Sequence, residues 1–229
     1  MNDTVPIIKM LEANQVDIVE IGMPYSDPLA DGPTIQRSSE TALKNGITLD
    51  LIFQQIGEAR KTVETPFVMM GYLNQVMQYG AERFFAKCAE TGVDGLIIPD
   101  MPMDVYLQEY HYLIKKNDLK TCFLITPQTS EDRVRKADEL SEGFLYMVAR
   151  ASITGAKMGI DSEQRAYFTR VKKLNLTAPR LIGFGISDKA SFVEASSNAN
   201  GAIIGSAFIN ALKKGGIEAG EKFIKAILD

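Results

Sequence analysis

Short apolar, β-branched runs alternate with longer amphipathic stretches along this chain of 229 residues. Runs of four to seven residues, bounded by Gly, Pro, Asn or Asp, are typical of buried parallel strands. Seven strands are predicted: Val16–Ile21, Pro66–Tyr72, Gly95–Pro99, Thr121–Thr126, Phe144–Ala149, Arg180–Phe184 and Ala202–Gly205. Helical periodicity predicts the helices Thr4–Ala13, Thr34–Lys44, Leu49–Val63, Ala81–Glu90, Asp104–Asn117, Glu131–Leu140, Glu163–Leu174, Asp188–Ala195, Ala207–Lys214 and Glu218–Leu228.

The repeated alternation of strand and helix predicts a parallel sheet with right-handed crossovers. We favour an α/β fold of the (β/α)8-barrel type, in a single domain over residues 1–229, because such barrels take about 200–250 residues. A doubly wound open sheet is the alternative, but it would place a Gly-rich phosphate-binding turn after its first strand. Here that turn is acidic and Pro-rich, and the glycines come late. Seven strands are one fewer than a closed barrel requires, so we expect the first strand to be missing at the N-terminus.

Composition narrows the classes of function. With 25 Lys+Arg against 29 Asp+Glu, the net charge is −4, and the absence of a basic run argues against nucleic-acid binding. No apolar stretch is long enough to span a membrane, and the N-terminus has no signal pattern, so a cytoplasmic location is expected. His111 is the single histidine, which excludes metal sites with several His ligands. Cys88 and Cys122 are expected to be reduced core thiols.

Candidate chemistry follows the first predicted strand. Glu20 lies near the carboxyl end of that strand, where barrel active sites are found, between Val19 and Ile21. Desolvation there should raise its pKa and suit it to acid–base catalysis, although a Glu that only caps a loop is the structural alternative. The following loop is stiffened by three prolines and carries Asp27 and Asp31, each of which could also be a turn former.

Two late turns suit phosphate binding. Gly183–Ser187 and Gly205–Ser206 each follow a predicted strand and run into a helix, so that backbone N–H groups and the helix dipole can meet an anion. The long segment Ala149–Ser162 is expected to be either a lid, with Thr154 bonding a catalytic carboxylate, or a plain surface loop. Tyr146 either contacts substrate or packs in the core. No strand interior contains a lysine, which disfavours Schiff-base chemistry and leaves proton transfer on a phosphorylated small molecule.

The stretch Glu20–Gln36, which begins Glu-Ile-Gly-Met-Pro-Tyr-Ser-Asp-Pro, resembles the signature of the tryptophan synthase alpha subunit family. Further matching motifs are Gly92–Asp100, Thr154–Ala156, Gly183–Ser187 and Gly205–Ser206. The resemblance covers nearly the whole chain from Asn2 onwards. It implies a (β/α)8 barrel that acts as a lyase in L-tryptophan biosynthesis, cleaving indole-3-glycerol phosphate to indole and glyceraldehyde 3-phosphate by a retro-aldol step.

The resemblance also implies residue roles. Glu20 matches the family's glutamate that moves protons between the glycerol hydroxyl and indole C3, and Asp31 matches the aspartate that stabilises positive charge on the indole nitrogen. Tyr146 matches an active-site tyrosine, and Thr154 a lid threonine that contacts the aspartate. Phosphate-binding positions are matched by Gly155, Gly185, Gly205 and Ser206. Positions that line the indole pocket are matched by Ile35, Met70, Ile125 and Phe184.

The family implies no cofactor in this subunit and a pyridoxal-phosphate beta subunit as partner, in an α2β2 complex that passes indole through a tunnel. Pro24, Tyr25, Asp27 and the stretch Asn74–Tyr79 would face that partner. The family's N-terminal helix and first strand precede Asn2, so we expect a misplaced start or a truncation; if 229 residues are complete, low stability and little lyase activity are expected. A non-catalytic subunit that docks on and modulates the beta partner, and another phosphate-binding barrel enzyme such as an isomerase, remain alternatives.

Overall fold

The structure, a computed structural model, describes residues 3–28, 31–149, 161–183 and 185–229. The chain divides into two compact units, Met1–Thr121 and Cys122–Asp229. Each unit contains one four-stranded parallel sheet whose strands follow each other in chain order. The organisation of all 229 residues as a single domain stays a prediction.

The first unit is built on four strands, β1 (Val19–Gly22), β2 (Phe67–Met70), β3 (Gly95–Ile97) and β4 (Lys120–Thr121). Its helices are α1 (Thr4–Ala13), α2 (Pro33–Lys44), α3 (Leu49–Arg60), α4 (Leu73–Tyr79), α5 (Ala81–Thr91), α6 (Met103–Val105) and α7 (His111–Lys116), with a π-helical segment at Tyr106–Tyr110. Helix α5 ends at Thr91, and its C-cap residue is Gly92, whose φ of 84° is easily adopted only by glycine.

The second unit contains β5 (Leu124–Ile125), β6 (Leu145–Val148), β7 (Arg180–Gly183) and β8 (Gly201–Ile203). Its helices are α8 (Glu131–Leu140), α9 (Ser162–Lys172), α10 (Lys189–Asn198) and α11 (Ser206–Leu228). Helix α11 is interrupted by non-helical angles at Gly215 and Gly216, which lie between the two helices predicted there. Ser130 is the N-cap residue of α8, but its side chain makes no capping hydrogen bond.

The fourth predicted strand, Thr121–Thr126, is divided into β4 and β5. The backbone N–H of Phe123 donates to Oγ of Ser141 at 3.1 Å, while its carbonyl oxygen accepts from the N–H of Tyr146 at 2.9 Å. A side-chain hydroxyl therefore takes the place of a strand partner for one backbone group, and the ladder is broken at that point. The seven predicted regions thus give eight strands within the described part of the chain.

Two helical regions differ from the prediction. The hydrophobic pattern gives no helix over Leu73–Tyr79, where the structure has α4. The single helix predicted for Asp104–Asn117 is instead α6, the π-helical segment and α7 in succession. Among the described helices, none is long and apolar enough to cross a membrane.

Arg60 at the end of α3 fixes the entry to two strands of the first sheet. Its guanidinium stacks over the ring of Phe67 at 3.8 Å and pairs with Asp94 at 2.7 Å. It also donates to three backbone carbonyl oxygens, those of Val63, Thr65 and Gly92. These bonds hold the segments before β2 and β3 together, and so set the register in which the site residues of those strands are presented.

Candidate active site

Glu20 lies on β1, and the register of the sheet shows which residues share its face. Glu20 is paired with Val68 and Gly22 with Met70. Because side chains alternate along a strand, Glu20 and Met70 belong to one face, whereas Val19 and Ile21 belong to the other, where both are buried.

The side chain of Glu20 is exposed to solvent in part, and its carboxyl group is closely surrounded by protein atoms. Its side chain retains an exposed surface, yet desolvation by the surrounding protein, and next the negative charge of Asp31, raise its pKa from 4.5 to about 7. Val19 and Ile21 point away, so the desolvation does not come from these chain neighbours as the sequence suggested.

Asp31 is half-buried at the end of the loop that follows β1. The phenol of Tyr72 donates to its Oδ2 at 3.2 Å, and Nε2 of Gln36 donates to its backbone oxygen at 2.9 Å. Burial raises the pKa of the Asp31 carboxyl group, and the hydrogen bond from Tyr72 acts in the opposite direction. The two predicted carboxylates are thus brought close enough for the charge of Asp31 to act on Glu20.

The turn between β2 and α4 holds the loop that carries Asp31, and its residues were not among the predicted site residues. Tyr72 stacks on Tyr25 with ring centroids 5.1 Å apart, and Nδ2 of Asn74 donates to the hydroxyl of Tyr25 at 3.0 Å. Gln75 donates through Nε2 to the carbonyl oxygen of Pro24 at 3.0 Å. Tyr72 and Gln75 follow directly on a strand end, which is the one sequence signal that could have indicated them.

The predicted pocket residues of the first unit occupy two different settings. Met70 is half-buried at the carboxyl end of β2, on the face of Glu20. Ile35 is half-buried in the first turn of α2, four residues after Asp31. Both lie next to elements that carry the acidic pair, as a pocket role would require.

Tyr146 is almost wholly buried on β6 in the second unit. A β-carbon added to Gly183 would overlap the Tyr146 phenol, so a glycine is needed there for this ring position. Leu124 pairs with Tyr146, whereas Ile125 pairs with Met147 and lies on the opposite face of the sheet, fully buried. Ile125 therefore lies on the opposite face of this ladder from Tyr146, and its place in the indole pocket stays a prediction.

The two predicted phosphate turns differ in what already occupies the helix N-terminus. At α10, the carboxylate of Asp188 accepts from the N–H of Ser191 at 2.8 Å, so an anionic side chain already caps this helix. At α11, Gly205 is the cap residue and offers no side-chain hydrogen bond, and Ser206 is the first helical residue. An added anion is therefore favoured at Gly205 and Ser206.

Gly185 contributes in another way. Its φ of 86° lies in the left-handed region, and a β-carbon there would have no atom within 4 Å, so its backbone is open to an approaching group. Thr154, Gly155 and Phe184 lie outside the described residues. Within the described ranges, no group of three or more His, Cys, Asp or Glu side chains could hold a metal ion.

A carboxyl group with a raised pKa beside a second carboxylate, both at the carboxyl end of parallel strands, can exchange protons with a substrate near neutral pH. Together with an open helix N-terminus elsewhere in the chain, this defines an α/β enzyme that performs acid–base chemistry on an anionic small molecule. The sequence profile of the family described as "Tryptophan synthase alpha chain" matches residues 1–227. The chain belongs to the tryptophan synthase alpha chain family.

Relatives and solved structures agree with this assignment. The tryptophan synthase alpha chains of Flavobacterium psychrophilum and Flavobacterium johnsoniae are each 52% identical over 227 residues, covering 99% of this chain and 90% of theirs. The tryptophan synthase complex of Pyrococcus furiosus includes a chain 31% identical to this one, with a TM-score of 0.89, covering 99% of this chain and 91% of that one. The prediction of the (β/α)8-barrel class and of the family is confirmed.

Proposed function

We propose that Glu20 and Asp31 carry the lyase reaction of this family, the retro-aldol cleavage of indole-3-glycerol phosphate in L-tryptophan biosynthesis. The observation that supports it is the raised pKa of Glu20 beside the charge of Asp31. A group that titrates near neutral pH can both deliver and accept a proton during one turnover. Glu20 is the group to which we assign this exchange.

The cleavage requires two proton movements and one charge to be stabilised. Addition of a proton at indole C3 leaves positive charge on the ring nitrogen, which an ionised Asp31 would stabilise electrostatically. Loss of the proton from the glycerol hydroxyl then allows the bond between C3 and the adjacent glycerol carbon to break. That carbon becomes the aldehyde of glyceraldehyde 3-phosphate, the electron pair returns to the ring, and indole leaves.

The assignment of Asp31 agrees with its contacts. A hydrogen bond from Tyr72 to Oδ2 favours the ionised carboxylate, which is the form needed beside a cationic ring. We assign Tyr146 a place beside the substrate, and Ile35, Met70 and Ile125 places in the indole pocket.

Substrate phosphate is assigned to Gly185, Gly205 and Ser206, with the open N-terminus of α11 as the main electrostatic attraction. The roles of Gly155 in phosphate binding, of Phe184 in the indole pocket and of Thr154 in the lid stay predictions from the family resemblance. We further propose that this half of the reaction needs no cofactor and takes place in the cytoplasm. Pyridoxal phosphate would belong only to the beta subunit, with which members of the family form an α2β2 complex.

An aldolytic assay on indole-3-glycerol phosphate, with and without a beta subunit, tests the proposal. We expect indole release from the wild-type chain, stimulated by the beta subunit, and a loss of at least about 100-fold in folded Glu20→Gln and Asp31→Asn variants. Unchanged rates in both variants would refute the assigned roles. A chain that releases no indole but alters the beta reaction would instead be a non-catalytic docking subunit.

A further inference from the structure

The side-chain amide of Gln75 connects two segments that both lead to Asp31. Its Oε1 accepts from the backbone N–H of Tyr72 at 3.0 Å, and its Nε2 donates to the carbonyl oxygen of Pro24 at 3.0 Å. Tyr72 reaches Asp31 through its phenol, and Pro24 opens the loop that leads to Asp31. The side-chain amide of Gln75 therefore links the turn that contains Tyr72, whose phenol bonds Asp31, to the loop that carries Asp31.

The surroundings of Gln75 leave little room for another arrangement. A β-carbon on Gly71 would come within 2.9 Å of Oε1 of Gln75 and would overlap Met23, which shows how closely the turn and the loop approach each other. The backbone N–H of Met23 donates to the carbonyl oxygen of Met70 at 2.7 Å, which anchors the start of the loop to the end of β2. Beyond Met23, the amide of Gln75 is the next link between them.

Only a primary amide can make both bonds, because it offers an acceptor and a donor at once. The acceptor also closes a capping box at the start of α4, which by itself would be a purely local stabilising role. The donor serves no purpose within α4, since it is directed at a residue 51 positions earlier in the chain. The two halves of the amide can therefore be tested separately.

We propose that Gln75 is a positioning residue for the catalytic aspartate, acting by tying the Pro24 loop to the Tyr72 turn. The role in catalysis rests on the proposed function of Asp31, whereas the tether itself does not. Without the tether, the loop keeps the contacts of Tyr25 and the backbone bond of Met23, but it loses the bond at Pro24 that holds it against the turn. The bond between Tyr72 and Asp31 is then made in only part of the population.

Gln75→Glu separates the two bonds, because a carboxylate keeps the acceptor for Tyr72 but places an oxygen against the Pro24 carbonyl. Gln75→Met removes both bonds without adding charge. Gln54→Glu and Gln54→Met, at an exposed position on α3 outside the predicted partner-facing stretch, are the matched controls. All four variants are compared with the wild-type chain in the presence of saturating beta subunit, after thermal unfolding has shown that they fold.

We expect kcat to fall about tenfold in both Gln75 variants, with KM changed less than about twofold and with the Gln54 variants near wild type. In Gln75→Met, the acid limb of the kcat profile should move towards that of Tyr72→Phe. A residue that only caps α4 would leave kcat of Gln75→Glu equal to that of Gln54→Glu and would move no limb. That result would overturn the catalytic part of the proposal.

Hydrogen exchange tests the tether independently of activity. Backbone amides of residues 22–28 should exchange faster in Gln75→Glu and Gln75→Met than in the Gln54 controls, while those of α5 stay unchanged. Equal exchange in all variants would refute the tether even if the enzyme is active. If the Gln75 variants exchange faster than the controls but the wild-type chain cleaves no substrate, the tether is upheld and the proposed function is rejected.

Discussion

The phenol of Tyr72 donates a 3.2 Å hydrogen bond to Oδ2 of Asp31, 41 residues away in the chain. This bond favours the ionised form of a carboxyl group whose burial works in the opposite direction. Charge on Asp31 is thus maintained by a residue that lies outside the acidic loop.

Replacing Tyr72 by Phe should lower kcat about five- to tenfold and shift the acid limb of the pH profile upwards. The hydrogen bond lowers the pKa of Asp31, so its loss raises that pKa. Asp31 then becomes protonated at a higher pH than in the wild-type chain. Measurement of kcat between pH 5 and pH 9, at intervals of about half a pH unit, checks this, with Tyr112→Phe, a largely exposed tyrosine, as control. An acid limb at the wild-type position would show that the bond does not set the titration of Asp31.

Carboxyl titration followed by NMR should place the pKa of Glu20 well above its ordinary value of 4.5, at about 7. Asp31→Asn should lower that pKa, because it removes the negative charge that adds to desolvation. Glu40→Gln, at an exposed position on α2, should leave it unchanged. A Glu20 resonance that titrates near 4.5 in the wild-type chain would contradict the described surroundings.

Glu20 should also make the free energy of unfolding depend on pH. With a folded-state pKa above the unfolded value of 4.5, the folded state retains a proton that the unfolded state loses. The contribution of Glu20 to the free energy of unfolding is therefore fully present below pH 4.5 and is lost as pH rises through about 7. Glu20→Gln should remove this decline, which chemical denaturation at several pH values measures; parallel curves for both proteins would argue against it.

Gly183→Ala should displace the Tyr146 ring, because the added methyl group would overlap the phenol. We expect a loss of stability of about 1–3 kcal/mol, typical of overpacking, together with reduced lyase activity. Gly57→Ala in α3, where the nearest atom lies 3.8 Å from the new carbon, is the matched control and should be neutral or stabilising. Equal melting temperatures for the two variants would show that the second sheet accommodates the change.

Arg60→Met should destabilise the first unit by about 2–4 kcal/mol, since it leaves backbone carbonyl oxygens without their donor and removes the cationic partner of Asp94. Arg133→Met, at an exposed position on α8, is the control for the loss of one positive charge. Urea denaturation monitored by circular dichroism compares the two. A difference below about 0.5 kcal/mol would mean that water replaces the guanidinium at little cost.

The strands could be predicted well because buried strands have short apolar sequences rich in β-branched residues. Val19–Gly22 and Arg180–Gly183 fall within three residues of the predicted bounds. The division of the fourth strand could not be seen, since it depends on a hydroxyl of Ser141, 18 residues from Phe123. The kink in α11 was predictable because two successive glycines, Gly215 and Gly216, mark it directly in the sequence.

The site was predictable where local sequence determines it. The alternation of side chains along a strand indicates that Val19 and Ile21 lie on the face opposite to Glu20, and the prolines around Asp31 indicate a constrained loop. Tyr72 and Gln75 escaped prediction because their roles lie in contacts to residues 41 and 51 positions away. Leu124 and Ile125 are neighbours of similar character, and only the strand register distinguishes them.

The π-helical segment at Tyr106–Tyr110 has a consequence for the history of the chain. Such a segment is an α-helix that has absorbed one additional residue, and it leaves Tyr106 and Tyr110 both buried. Leu107, Gln108 and Glu109, between them, are exposed, so a residue gained or lost there disturbs little of the interior. Homologous chains are therefore expected to vary in length by a single residue at this point while keeping both tyrosine anchors.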